Sequence, residues 1–234
     1  MLNPQNYQEA LAWQEALRHK VRLEPLARIP RLVGGADAAY DKENGLAYGA
    51  IAVFSFPDLT LVEEAALACP TTFPYIPGLL TFREAPVLLK VWAGLRRRPE
   101  VLLVDGQGLA HPRGLGIASH LGVLLDLPTI GVAKSRLVGE GEEPGDSKGA
   151  ASPLFHQGKA VGWILRTRSG VKPLYVSPGH RVSLSECRDL TLACVKQYRI
   201  PEPLRRADWL SRKQKAAGPD HTGKPEEVGG ILVE

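Results

Sequence analysis

The sequence predicts an α/β fold, a mixed central sheet flanked by helices, and three observations carry that expectation. Strand-like runs at Leu32–Tyr40, Leu46–Phe54 and Leu59–Ala68 follow one another with only short turns between them, which predicts antiparallel pairing. Val101–Val104 is an unbroken run of branched apolar residues closed by Asp105, the pattern of a strand buried on both faces. Behind it come a helical stretch, Gly114–Leu125, and a second apolar strand, Pro128–Ala133. Strand, helix and strand in that order predict a parallel unit with a right-handed crossover.

Taken in order, the chain begins with an amphipathic helix over Gln8–Lys20, whose Ala10, Leu11, Trp13, Ala16 and Leu17 recur at helical spacing and suit core packing. The first strand carries one acid, Asp37, among small residues that leave room beside it. Asp41–Gly45 and Pro57-Asp58 supply the two turns of the three-stranded region. Pro74 and Pro77 then bracket Tyr75 and Ile76, fixing a rigid turn with an aromatic at its tip. Such a tip either packs on the core or wedges between bases. Glu84, just ahead of Pro86, marks the first turn of a helix whose apolar stripe is Leu88, Leu89, Trp92 and Leu95.

Arg96-Arg97-Arg98 closes that helix, where cations complement the helix dipole as readily as they meet nucleic acid. Gly106 and Gly108, after Asp105, let backbone approach a ligand closely. The polar Glu140–Ser152 stretch reads as a mobile loop, and Lys159–Arg166 and Pro173–Ser177 as short strands about the Ser169-Gly170 turn. Ser183 with Glu186 forms a capping box for a helix reaching about Tyr198, and Pro201-Glu202-Pro203 opens a last helix through Asp208 and Trp209.

With 234 residues, 44% of them hydrophobic, the chain suffices for one domain over residues 1–215. Gly, Pro and charge dominate residues 216–234, which read as a disordered tail. A net charge of +4 suits a polyanionic partner. Cys69, Cys187 and Cys194 match no zinc spacing and read as free thiols of a reducing compartment, hence a cytoplasmic expectation. No signal peptide is visible, and the most apolar region, Gly114–Ala133, is broken by His120, Asp126 and Pro128, so no membrane span is expected.

Four acids stand on four different elements: Asp37 on the first strand, Glu84 at a helix start, Asp105 ending the central strand and Asp208 on the last helix. Clustered carboxylates without histidine-rich or cysteine ligands favour Mg²⁺ or Mn²⁺ over zinc. Two such ions serve in-line displacement at a phosphodiester. Lys134 leaves the second parallel strand beside the Asp105 strand end, where its cation can hold a phosphate. With this strand order, the layout is that of ribonuclease-H-like nucleases.

Four segments sharpen the expectation: Gly35-Ala36-Asp37; Pro74-Tyr75-Ile76-Pro77-Gly78 running on to Phe82-Arg83-Glu84; Val104-Asp105-Gly106 through His111-Pro112-Arg113; and Pro128–Lys134. In that order they resemble the endonuclease V family, the deoxyinosine-directed repair nucleases, over about residues 8 to 210. The resemblance implies a Mg²⁺-dependent enzyme, with Mn²⁺ able to substitute, that nicks inosine-containing DNA at the second phosphodiester 3′ of the lesion. It implies Asp37, Glu84 and Asp105 as metal-binding acids with Asp208 as an outer fourth, and Lys134 as the phosphate-stabilising cation. Tyr75, Ile76 and Pro77 match the strand-separating wedge. Leu80, Gly106, Gly108, Gly116, Ile117 and Leu137 match the pocket for the extruded hypoxanthine, with His111 an active-site neighbour. Gln107 stands where many relatives have histidine, and glutamine cannot gain a proton near neutrality. No membrane and no obligate protein partner are implied. A nuclease acting mainly on inosine in RNA, and a non-catalytic reader of inosine-containing nucleic acid, stay open as alternatives.

Overall fold

The computed structural model describes residues 4–74 and 76–218. The first helix, α1, spans Tyr7–Arg18, and the three-stranded region is β1 (Leu32–Asp41), β2 (Leu46–Ser55) and β3 (Leu61–Pro70). Helix α2 (Thr81–Gly94) leads to β4 (Val101–Asp105), α3 (Ile117–Leu125) and β5 (Thr129–Ala133). Then come β6 (Ala151–His156), β7 (Lys159–Leu165), β8 (Leu174–His180), α4 (Leu184–Ala193) and α5 (Glu202–Ala217). The sheet order is β3-β2-β1-β4-β5-β8-β7-β6, with β1, β4 and β5 parallel and the other neighbours antiparallel. The fold is therefore of the expected α/β, ribonuclease-H-like kind.

Strand alternation divides the core into two layers. Val101 and Leu103 point to one face with Val33, against Cys187 and Leu190 of α4 and Leu204 of α5. Leu102 and Val104 point to the other with Ala36, against Leu88 and Val91 of α2 and Leu121 of α3. All four apolar residues of β4, Val101–Val104, are at most 1% exposed, which explains why their run shows no polar alternation. Burial of each contributes about 1.5–3 kcal/mol. Because β1, β4 and β5 run in parallel, Asp37, Asp105 and Lys134 come to one edge of the sheet, where their carboxyl ends meet, the usual place for a ligand in such sheets. Arg96–Arg98 precede β4 and so lie at the opposite edge, the backbone N–H groups of Arg96 and Arg97 donating to the Glu63 carboxylate at 3.0 and 2.6 Å. That location favours their helix-terminal reading.

Several elements differ from expectation, each for a local reason. Strand β6 was not expected because Pro153 interrupts its pattern. The proline is tolerated because β6 is an edge strand. Helix α2 carries Glu84 in its first turn, as expected, but starts at Thr81, after Gly78 turns the chain at φ +79, so that Pro86 lies inside the helix. Gly114, at φ +64, and an extended Gly116 delay α3 to Ile117. Helix α4 carries the expected capping box but stops at Ala193, after which the chain turns so that the Glu202 N–H reaches the Cys194 carbonyl at 2.8 Å. The Glu140–Ser152 stretch is anchored: Arg166, 5% exposed, donates to the Pro144 and Gly145 carbonyls at 2.9 and 3.1 Å and pairs with Glu143 at 3.1 Å. Helix α5 takes in Ala216 and Ala217 of the expected tail; residues 219–234 lie outside the described residues. All three cysteines are free and buried, and no described helix is long and apolar enough to cross a membrane.

A candidate active site at the carboxyl edge of the sheet

Asp37 is the centre of the site. It lies near the middle of β1, is 8% exposed, and its Oδ2 accepts a hydrogen bond from the Ser211 hydroxyl at 2.7 Å. Gly35, two residues earlier on the same face, explains how α5 gets so close. A Cβ there would lie 2.1 Å from the Pro203 carbonyl carbon, so the first turn of α5 rests directly on the β1 backbone. Two turns further along α5, Asp208 and Ser211 are brought beside Asp37. Asp105 arrives from the end of β4, and single carboxylate oxygens of Asp37, Asp105 and Asp208 all lie within 4.8 Å of one another.

Three carboxylates this close repel when all are ionised. Burial, then the Asp105 charge, raises the Asp37 pKa from 3.8 to about 7, with the Ser211 hydrogen bond opposing. Lys134 partly offsets the repulsion: its Nζ donates to Asp105 Oδ2 at 2.5 Å and lies 3.8 Å from Asp208 Oδ1. Burial lowers the pKa of Lys134, but the Asp105 charge and hydrogen bond outweigh it and the net shift is upward, so the ammonium keeps its charge. Arg212 pairs with Asp208 at 2.9 Å. A carboxylate cluster holding ammonium and guanidinium groups, with oxygen donors alone, fits a hard divalent cation.

Glu84 faces the same cavity but does not join the close trio. Its carboxylate lies 3.7 Å from Arg83, and burial raises its pKa to about 8, with Arg83 opposing and the Asp37 and Asp105 charges adding. Among the described residues the close group thus holds Asp208, expected as the outer acid, and leaves out Glu84, expected beside Asp37 and Asp105. Asp208 is brought in by the seating of α5 on Gly35, while Glu84 approaches from the first turn of α2.

Asp37, Glu84 and Asp105 form one wall of a cavity of about 410 Å³, within the size range of small-ligand sites. Leu80, Gly106, Gly116, Ile117 and Leu137, expected of the pocket, line it, together with His111, the expected neighbour, Pro77 of the expected wedge, and Gln107. Its wall is closely packed at two glycines. A Cβ on Gly106 would sit 2.6 Å from Ile117 Cγ2, and one on Gly116 would sit 2.2 Å from the Gln107 carbonyl oxygen. The Gln107 amide donates to the Ser135 carbonyl at 3.1 Å, tying the exits of β4 and β5 together.

Two residues expected to meet the substrate, Ile76 of the wedge and Gly108 of the pocket, do not line the cavity. Ile76 packs against the small apolar cluster of Ala10, Leu79 and Phe82 under α1. Gly108 serves the sheet: a Cβ there would lie 2.3 Å from the Pro178 carbonyl oxygen, and its N–H donates to the Ser177 hydroxyl at 2.8 Å. Tyr75 lies outside the described residues. His111 is 4% exposed and fully engaged, its Nε2–H donating to the Gly78 carbonyl at 3.0 Å and its Nδ1 accepting from the Arg113 N–H at 3.2 Å. Burial, then the Arg113 charge, lowers its pKa to about 4.

The sequence reading passed over Gln14, Arg113 and Ser211. The Gly78 carbonyl accepts from Gln14 Nε2 at 3.0 Å and from Arg113 Nη2 at 2.6 Å as well as from His111, so three donors anchor the end of the Pro74–Gly78 turn. Gln14 had a signal: it lies four residues after Ala10 and three before Leu17, on the buried stripe of α1. Ser211 had one too, three residues beyond Asp208 and on the same helix face.

Comparison with known proteins identifies the family to which this fold belongs. The family model described as Endonuclease V matches residues 15–209. An endonuclease V of Nostoc sp. (strain PCC 7120) is 50% identical over 209 residues, covering 89% of this chain and 95% of the relative. The crystal structure of the endonuclease V of Streptomyces avermitilis superposes with a TM-score of 0.87 at 45% identity, covering 92% of this chain and 95% of that one. A Ciona intestinalis endonuclease V, in complex with a 24mer DNA containing an inosine followed by a ribo-adenosine, superposes with a TM-score of 0.77 at 31% identity, over 90% of this chain and 98% of that one. By a model match across most of its length and by relatives at half identity, this chain belongs to the endonuclease V family.

Proposed function

We propose that the protein is an endonuclease that recognises deoxyinosine in DNA and hydrolyses the second phosphodiester bond on its 3′ side, leaving 3′-hydroxyl and 5′-phosphate ends. The observation that supports this best is the close Asp37–Asp105–Asp208 trio, of which Asp37 and Asp105 line a cavity that Gly78, Gly106 and Gly116 also border. The Ciona relative in complex with inosine-containing DNA supports the substrate. Asp37, Asp105 and Asp208, with Glu84 behind them, would hold Mg²⁺, or Mn²⁺ in its place. When bound, that ion supplies Lewis-acid stabilisation of the charge that develops on the phosphate.

The chain's own groups do the rest. Lys134, held by Asp105, offers its ammonium to a phosphate oxygen as the acids turn to their cation. Extruding a base costs least where pairing is already weak, as at inosine. The Pro74–Gly78 turn, anchored through the Gly78 carbonyl, fills the gap that the base leaves, with Tyr75 as its tip. Hypoxanthine lacks the exocyclic amine of guanine, and a cavity narrowed by Ile117 and Leu137 would leave that amine buried and unpaired, a penalty of about 1–3 kcal/mol.

With Mg²⁺, the protein is expected to nick a duplex containing one deoxyinosine and to leave the matched adenine duplex intact. Asp37→Ala and Asp105→Ala are each expected to abolish nicking while inosine-duplex binding persists; nicking at the normal rate by either variant refutes the assignment. The ribo-adenosine beside the inosine in the Ciona complex favours one second reading, a nuclease acting on inosine in RNA. Cleavage of matched DNA and RNA strands side by side separates the two. A non-catalytic reader would have no use for the retained acids and Lys134, and would nick neither.

A further inference from the structure

Beyond Lys134 the wall of the catalytic cavity continues into a second one of about 470 Å³, bounded by Lys134, Ser135 and Arg136 on one side and Lys172, Pro173 and Tyr175 on the other. Ser135 and Arg136, like Lys134, border both cavities. Arg199 fastens the two sides together, one guanidinium nitrogen donating to the Lys134 carbonyl at 3.2 Å and to the Pro173 carbonyl at 2.7 Å. Its guanidinium therefore adds a charge behind the groove while making bonds only to neutral carbonyls.

The charge balance of this groove is one-sided. Among the described residues, no carboxylate pairs with Arg136, Lys172 or Arg199. The one acid on its wall, Glu143, is committed to the buried Arg166 at 3.1 Å. Arg136 and Lys172 are exposed, so a ligand in the groove meets their charges directly. Unneutralised cations facing one another across a cleft attract a polyanion.

We infer that this groove is a backbone subsite, in which Lys172 and Arg136 contact a phosphodiester of the substrate strand flanking the nucleotide held in the catalytic cavity. The inference rests on the proposed nuclease reading and extends it to residues outside the acid cluster and the base pocket. Contacts of this kind position the strand and carry no sequence information. They should strengthen binding to inosine-containing and undamaged nucleic acid by the same factor.

The test is the salt dependence of binding, followed by fluorescence anisotropy on an inosine duplex and on its adenine counterpart. Losing one phosphate contact lowers the slope of log affinity against log salt by about 0.9. Lys172→Ala is therefore expected to reduce that slope by about 0.9 on both duplexes, and Lys172→Ala with Arg136→Ala by about 1.8. Arg97→Ala, at the opposite edge of the sheet with the same change in net charge, is expected to leave it unaltered. Duplexes shortened stepwise on either side of the inosine identify the flank: on one series the Lys172→Ala effect should vanish once the contacted phosphate is removed. An unchanged slope, an effect confined to the inosine duplex, or an equal effect of Arg97→Ala overturns the inference. If the wild-type protein binds neither duplex, the nuclease reading itself fails, and the two failures are thereby told apart.

Discussion

Loading the site with Mg²⁺ at pH 7 is expected to release about 1.4 protons per protein molecule. The perturbation is the cation itself, which requires ionised ligands. Without it, Asp37 has a pKa of about 7 and Glu84 of about 8, both raised chiefly by burial, so at neutral pH the first is about half protonated and the second mostly so. Lys134 keeps its proton throughout, since its pKa is shifted upward. If the cation ionises both acids, the release rises to about 1.9 protons at pH 6 and falls to about 0.6 at pH 8. The logarithm of affinity should climb with pH at those same slopes. Titration calorimetry in buffers of different ionisation enthalpy measures the released protons directly. Glu84→Gln should cut the pH 7 value to about half a proton, the share of Asp37. A release near zero at both pH 6 and pH 7 would mean that the acids are already ionised, and the account of burial and mutual repulsion would be wrong.

Other consequences are equally direct. Gly35→Ala puts a methyl group against the Pro203 backbone, where no side chain can move aside, and is expected to destabilise the protein by about 1–3 kcal/mol or more in urea unfolding. An unchanged midpoint would show that α5 is not seated there. Because folding lowers the His111 pKa from 6.5 to about 4, the folded state loses stability as pH falls from about 6.5 to about 4, by about 3 kcal/mol in total. His111→Gln should lessen that acid loss, as read from unfolding free energies at pH 4 and pH 7. Ser211→Ala removes the hydrogen bond that holds the Asp37 pKa down, so the rising limb of the nicking rate against pH should move to higher pH. A limb that stays in place would separate Ser211 from the chemistry.

What could be read from the sequence follows the range of the interactions. Asp37 and Asp105 were recognisable because a single acid on an otherwise apolar or small-residue strand is a local pattern, and the parallel pairing of β1 and β4 brings such strand positions together. Asp208 was recognised as an acid of the site but assigned the outer place. Its distance from Asp37 is set by how deeply α5 seats on Gly35, a contact between residues far apart in the chain. Ile76, read as part of the wedge because prolines bracket it, also packs in part against the apolar cluster under α1, a contact its local sequence does not show. Strand β6 was hidden because Pro153 is a poor strand former, and only a position at the sheet edge excuses it. The second basic groove left no motif, since Arg136, Lys172 and Arg199 are scattered along the chain and meet only after folding.

Helix α5 has a consequence for the chain while it is being made. The residue that completes the carboxylate trio and the serine that bonds Asp37 both belong to this last helix, 174 positions after Asp37 in the case of the serine. A nascent polypeptide still short of that helix carries Asp37 and Asp105 without their third companion. On the proposed nuclease reading, a chain that stops short of α5 is therefore expected to be unable to nick, because it lacks both Asp208 and Ser211.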